Sequence, residues 1–250
     1  MCTCITFKTK DFYFGRNLDL EYRFGEKIVI TPQNYEFFLR NKTKMKTKYA
    51  IIGMATVVDN YPLYADATNE KGLCMAGLYF PGNAVYYKEK EGYMNIASFE
   101  LIPWCLGNFA SIRELKQKLE KINITDQAFS EELPVTDLHW MVSDEKESIV
   151  LEQTKDGLKI YHNPYGVLTN NPTFDYHDMN MNNYMHISAQ QPTNAFSKQI
   201  PLQSYGQGMG MIGLPGDVTP TARFVRAAFY KFNSITDEDE KVLFLNFFIY

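Results

Sequence analysis

The sequence has no apolar run approaching the roughly 18 residues that a membrane-spanning helix needs. Its first 17 residues, MCTCITFKTKDFYFGRN, contain neither an apolar core nor a small-residue cleavage site, so they do not read as a signal peptide. Basic charge is in short supply as well. Lys+Arg 25 against Asp+Glu 29 leaves a formal net charge of −4, which offers no general phosphate-neutralising surface and argues against a nucleic-acid partner. The one dense basic stretch, residues 40–48 (RNKTKMKTK), reads as a solvated loop or hairpin tip. Cysteines are few: Cys2, Cys4, Cys74 and Cys105 have neither metal-site nor disulfide-framework spacing, which points to a reducing cytoplasm and to no bound metal. Histidines are equally sparse. His139, His162, His177 and His186 show no ligand spacing and read as structural. Nothing in the sequence calls for a cofactor. A Gly-x-Gly-x-x-Gly match at residues 208–213 runs into Pro215-Gly216 before any helix, so it reads as a loop and not as a dinucleotide site.

The rest is ordinary globular composition, 45% hydrophobic and 22% charged, with a high content of Tyr (17) and Phe (18). Over 250 residues this suffices for one sizeable core, and no linker, repeat or low-complexity tract divides residues 1–250. Alternation over residues 2–8, a turn at 9–11 and the apolar run 12–14 predict a first hairpin. Residues 27–31 form a short third run. Residues 49–58 and 72–80 are almost wholly apolar, as strands buried on both faces are. A meander is expected over 139–142, 148–153, 158–161 and 166–169.

Ser111 and Glu114 form a capping-box pattern before a helix whose apolar face carries Leu115, Leu119 and Ile122. Thr219-Pro220 marks another helix start, and residues 98–108 predict a third helix with Pro103 in its first turn. The class is α+β: two antiparallel sheets with helices packed outside.

Cys2 is the strongest chemical lead. A small residue after the initiator Met permits removal of Met1, and Cys2 then carries both a thiol and a free α-amine. Their ordinary pKa values, about 8.5 and about 7.7–8.0, place nucleophile and general base on one residue near neutrality. Position alone favours an inert strand cysteine. The context changes that balance, because Arg16 and Asp19 lie where the hairpin partner folds back beside residue 2. Asp19 can hold the α-ammonium, and the charge of Arg16 favours a sulfur anion.

The segments Met1-Cys2-Thr3, Phe14-Gly15-Arg16-Asn17, Asn69-Glu70-Lys71-Gly72-Leu73, Ala76-Gly77-Leu78, Leu138-His139-Trp140, Gly166-Val167-Leu168-Thr169-Asn170-Asn171-Pro172, Leu214-Pro215-Gly216-Asp217 and Ala222-Arg223-Phe224-Val225-Arg226 occur in this order. Together they resemble the choloylglycine hydrolase family, which comprises bile salt hydrolases and penicillin V acylases. The resemblance implies a four-layer αββα sandwich of two antiparallel sheets, self-processing to Cys2, and hydrolysis of linear amide C–N bonds of small molecules. Cys2 attacks the carbonyl and its own amine shuttles the proton, giving a thioester that water cleaves.

By the same resemblance Arg16 and Asp19 match the family's catalytic Arg and Asp. Asn170 matches its oxyanion-donating Asn, and Arg223 its second active-site Arg. Tyr79 stands where bile salt hydrolases usually carry Asn and penicillin V acylases Tyr, a position whose contribution is a backbone N–H. Leu18, Phe24, Val58, Phe129 and Leu133 fall where the family lines its substrate pocket. Glycine- or taurine-conjugated bile salts are the first expectation and penicillin V the alternative. Family members also form homotetramers and extend beyond the length of this chain. The apolar stretch 242–250 therefore raises a third reading, a truncated, non-catalytic homologue.

Overall fold

A computed structural model describes residues 1–19, 21 and 23–235; the β-prone stretch 242–250 lies outside them. The chain opens with β1 (Cys2–Lys8) and β2 (Phe12–Leu18), paired antiparallel from Lys8 opposite Phe12 to Cys2 opposite Leu18. The second strand runs four residues past the expected 12–14, because β1 supplies partners down to residue 2. β3 (Lys27–Thr31) comes next, then the small hairpin of β4 (Glu36–Phe38) and β5 (Lys44–Lys46), then β6 (Ile51–Val58), β7 (Tyr61–Asn69) and β8 (Cys74–Tyr79). β9 (Met94–Ala97) leads through a short 3₁₀ turn into α1 (Leu101–Asn108), followed by α2 (Ile112–Leu119) and β10 (Ile122–Thr125). β11 (Leu138–Ser143), β12 (Ser148–Thr154) and β13 (Gly157–His162) form the meander, and β14 (Val167–Leu168), α3 (Phe174–Met181) and α4 (Pro220–Asn233) follow within the described residues.

Seven strands make one antiparallel sheet in the order β13-β12-β11-β8-β7-β6-β3, and β14-β1-β2 make a second. Strand alternation sends alternate side chains to opposite faces. Leu73, Met75, Trp140, Val142, Ile149 and Leu151 therefore pack under α1 and α2, while Ala76, Leu78, Met141 and Val150 face β1, Phe174 of α3 and Phe224 of α4. The result is the four-layer α/β/β/α sandwich. Among the described residues no helix is long and apolar enough to cross a membrane.

Several expectations need correction. β8 is buried almost throughout, but β6 is only partly buried, with Ile52 on one face and Val57 on the other exposed, since β6 lies only one strand from the sheet edge. The expected fourth meander strand, β14, leaves the large sheet and pairs with β1, Cys4 opposite Leu168. Ile122 belongs to β10 and not to the preceding helix, which ends at Leu119. Ser111 Oγ accepts from Glu114 N–H at 3.3 Å, but the Glu114 carboxylate reaches one residue further back than a capping box requires, to Ala110 N–H at 2.9 Å. Pro103 does sit in the first turn of α1, and Thr219 caps α4 by accepting from Ala222 N–H. The basic run forms the β4–β5 hairpin, yet Arg40 is not simply solvated. Its guanidinium lies over the rings of Phe99 (5.5 Å) and Phe129 (5.0 Å) and donates to the Phe129 carbonyl.

Candidate active site

The hairpin register builds the first half of the site. Cys2 and Cys4 share a face of β1, Arg16 lies opposite Cys4, and so Cys2 and Arg16 are diagonal neighbours across the pair. Arg16 Nη2 stands 2.9 Å from Cys2 Sγ. The arginine side chain is only 3% exposed and would be costly there without partners. A β-bulge supplies them. Between Met54 and Ala55 of β6 the pairing with β7 slips by one residue, leaving Ala65 as the extra residue. Its carbonyl accepts from Arg16 Nη1 at 3.3 Å, and the Asp66 carboxylate lies 3.6 Å from the same nitrogen. Burial raises the Asp66 carboxyl above its ordinary value, and Arg16 pulls it partly back. Beside the bulge only glycine fits at Gly53, where a Cβ would fall 2.2 Å from the Asp66 carbonyl oxygen.

The second half comes from the far end of the chain. β14 runs antiparallel to β1, and the segment after Leu168 continues alongside residue 2. Asn170 Oδ1 accepts from Cys2 N–H at 3.0 Å and from Arg223 Nη2 at 2.8 Å, and its Nδ2 donates to the Tyr79 carbonyl at 2.8 Å. These partners fix which end of the amide is oxygen. Arg223, one turn into α4, also donates to Thr3 Oγ1 at 2.8 Å, to the Val218 carbonyl at 3.1 Å, and to the Cys2 carbonyl. Burial lowers its guanidinium below the usual arginine range.

Tyr79 is placed by strand parity. Phe80 N–H donates to the Asp137 carbonyl at 2.9 Å, so the adjacent Tyr79–Leu138 pair turns its peptide groups away from one another. Leu138 obeys this parity, its N–H and carbonyl both meeting the Tyr86 hydroxyl. Tyr79 therefore presents N–H and C=O toward Asn170. Asp19 attends the Met1 ammonium, with Oδ2 at 3.7 Å and its own carbonyl accepting from it.

Above Cys2 opens a pocket of about 780 Å³. Of the expected wall, Leu18, Phe24, Phe129 and Leu133 line it, and Val58 does not. Val58 sits at the end of β6 opposite Tyr61, two residues beyond Thr56, which is the last residue of β6 to reach the pocket. Asn170 and Arg223 are not among the residues that line it. The lining also includes Tyr64, Phe99 and Ile102 from elements with no special sequence signal, and Glu21, Glu26 and Glu132 make its rim acidic. All four cysteines are free and buried, and burial pushes Cys74 up to about 11 and Cys4 and Cys105 higher still.

Two facing sheets between helical layers, with the opening residue of a central strand at the foot of a pocket, define the fold of the N-terminal nucleophile hydrolases. Residues 2–249 match the linear amide C–N hydrolases, choloylglycine hydrolase family, and the chain belongs to that family. It is 51% identical over 248 residues to a bile salt hydrolase/transferase of Lactiplantibacillus plantarum, which covers 99% of this chain and 76% of that protein. A solved variant of the conjugated bile acid hydrolase from Clostridium perfringens superposes with a TM-score of 0.89 at 43% identity, over 99% of this chain and 79% of the other. The penicillin V acylase of Agrobacterium tumefaciens has a TM-score of 0.75 at 22% identity, over 98% and 70% of the two chains, a likeness of fold alone.

Proposed function

We propose that the protein hydrolyses the amide bond of glycine- or taurine-conjugated bile salts, with Cys2 as nucleophile once Met1 is removed. The observation that carries this reading is Arg16 Nη2 at 2.9 Å from Cys2 Sγ, at the foot of a largely apolar pocket of about 780 Å³. Removal of Met1 turns the Cys2 nitrogen, already held by Asn170, into an amine beside the thiol. That amine takes the thiol proton, and the sulfur, facing a buried positive charge, attacks the amide carbonyl carbon. The negative charge that develops on the carbonyl oxygen meets the Asn170 amide and the Tyr79 N–H, two residues joined by the hydrogen bond from Asn170 Nδ2 to the Tyr79 carbonyl. The C–N bond breaks, and the leaving glycine or taurine nitrogen takes the proton from the Cys2 amine. Water then cleaves the thioester, giving the free bile acid and the original thiol. Asp19 holds the N-terminal ammonium, and Arg223 fixes Cys2 and Asn170 relative to one another.

The apolar wall suits a sterol body, whose burial contributes about 25 cal/mol per Å². The bile salt hydrolase/transferase and conjugated bile acid hydrolase relatives support this substrate class. One observation favours a second reading. Tyr79 turns an aromatic ring, half exposed, onto the pocket wall, which suits the phenoxyacetyl group of penicillin V. Release of taurine from taurocholate by wild type, abolished in Cys2→Ser, is the expected result. Equal rates for the two proteins would sink the cysteine mechanism, and faster cleavage of penicillin V than of glycocholate would select the second substrate. No turnover of either by a cooperatively folded protein would select the non-catalytic reading. A homotetramer and a cytoplasmic location belong to the same proposal, supported by the exposed apolar Phe196 and Tyr205 and by the four free cysteines.

A further inference from the structure

Beneath the Asn170 segment lies a buried polar pair that the reaction as described does not use. His139 on β11 and Glu152 on β12 are both 0% exposed. His139 Nε2 is 3.0 Å from the Thr169 carbonyl, which only accepts, so Nε2 carries a proton. Nδ1 is 3.0 Å from Glu152 Oε1, which also takes the Phe174 N–H at 3.0 Å. One further proton therefore lies between imidazole and carboxyl, and the ring cannot turn without breaking a buried hydrogen bond. The same ring stacks on Phe80, with centroids 4.2 Å apart and planes 8° apart. Thr169 precedes Asn170, and Phe80 follows Tyr79. His139 thus grips both peptide segments that bear the two oxyanion donors, which are themselves joined by the Asn170–Tyr79 hydrogen bond.

A second histidine completes the clamp. His177 Nε2 meets the Asn170 carbonyl at 3.0 Å, and its ring stacks on Phe224 at 4.7 Å. Imidazole N–H groups so hold the carbonyls of both residue 169 and residue 170. Packing alone would not call for such an arrangement. Glu152 Oε2 is buried with no partner among the described residues, a cost that an apolar pair of the same volume would avoid.

We propose that His139, oriented by Glu152, is a positioning residue for amide hydrolysis, fixing Asn170 and Tyr79 where the oxyanion develops. The proposal rests on the reading above, in which those two residues supply the oxyanion donors. The test is Glu152→Gln in the full chain, assayed on glycocholate. If the amide oxygen takes the Oε1 place, the imidazole must put its proton on Nδ1 and turn a lone pair to the Thr169 carbonyl. If the amide nitrogen takes it, the Phe174 N–H loses its acceptor.

The expected result is a kcat lower by about 100-fold with KM within about threefold, the scale of a displaced oxyanion donor. The rate of Cys2 alkylation by iodoacetamide stays within about threefold, since the contact of the thiol with Arg16 involves neither His139 nor Glu152. Phe80→Leu keeps the hydrogen bonds and loses the stack, so kcat falls about tenfold with the same split, and it decides the matter if the first variant does not fold. A kcat within threefold of wild type overturns the proposal. So does a parallel fall in kcat and alkylation rate, which would mark general disruption of the site. If Asn170→Ala leaves kcat unchanged, the oxyanion reading itself fails; if Asn170→Ala lowers kcat and neither clamp variant does, only the role of His139 fails.

Discussion

The floor of the pocket and its wall are built on different principles. On the floor, Cys2 is 2% exposed and the Arg16 side chain 3%; a β-bulge holds Arg16, and both side-chain polar atoms of Asn170 are engaged by strand or helix residues. On the wall, Phe24 and Tyr79 are half exposed, and Phe24, Phe129 and Leu133 sit on irregular segments between strands. On the proposed mechanism, the groups that meet the transition state are held by sheet register, and those proposed to select a substrate ride on connections that can change without disturbing the register. Arg40 is where the two meet, a hairpin residue that pins the Phe129 wall by stacking and by a hydrogen bond.

The comparison is sharpened most by Asn170→Ala. Loss of one oxyanion donor lowers kcat by about 100- to 1,000-fold while KM stays within about threefold, measured by glycine release from glycocholate. The floor should also respond to acid. Burial lowers His177 to about 4 from an ordinary 6.5, so the fold favours its neutral form. The stability this contributes is fully present above the unfolded value and is lost as pH falls from about 6.5 to about 4, amounting to about 3 kcal/mol at most. Urea unfolding at pH 7 and pH 4 should therefore show wild type losing more stability than His177→Leu, and equal losses would contradict the burial argument. The smallest effect belongs to the wall. Phe129→Ala removes an apolar face and frees Arg40, raising KM about tenfold (about 1.4 kcal/mol) with kcat within threefold. A large fall in kcat for this variant would erase the distinction between wall and floor.

What the sequence made legible follows the same division. The first hairpin, the helix caps at Ser111 and Thr219, and the nearness of Arg16 to Cys2 are local, and they were read from turn and cap residues together with strand alternation. Asn170, Arg223 and Tyr79 came only through resemblance, because contacts spanning 91 to 221 residues leave no periodic trace. The bulge at Ala65 was invisible, since an inserted strand residue looks like any other apolar one. β14 read as a meander strand because its composition cannot say which sheet receives it, and Val58 was misplaced for want of the same register information. His139 and His177 read as merely structural, for their Nε2 partners are backbone carbonyls and the Glu152 partner of His139 lies across the strand pair, contacts that no ligand-type spacing reveals.

The central claim is that Cys2, freed of Met1, is the acylated nucleophile. The direct measurement is the intact mass of the purified protein before and during turnover of a cholyl amide, with peptide mapping of any adduct. The account predicts a chain lacking Met1 that transiently gains one cholyl group on Cys2. A chain that turns over the amide while retaining Met1, or that carries the acyl group on another residue, would contradict it.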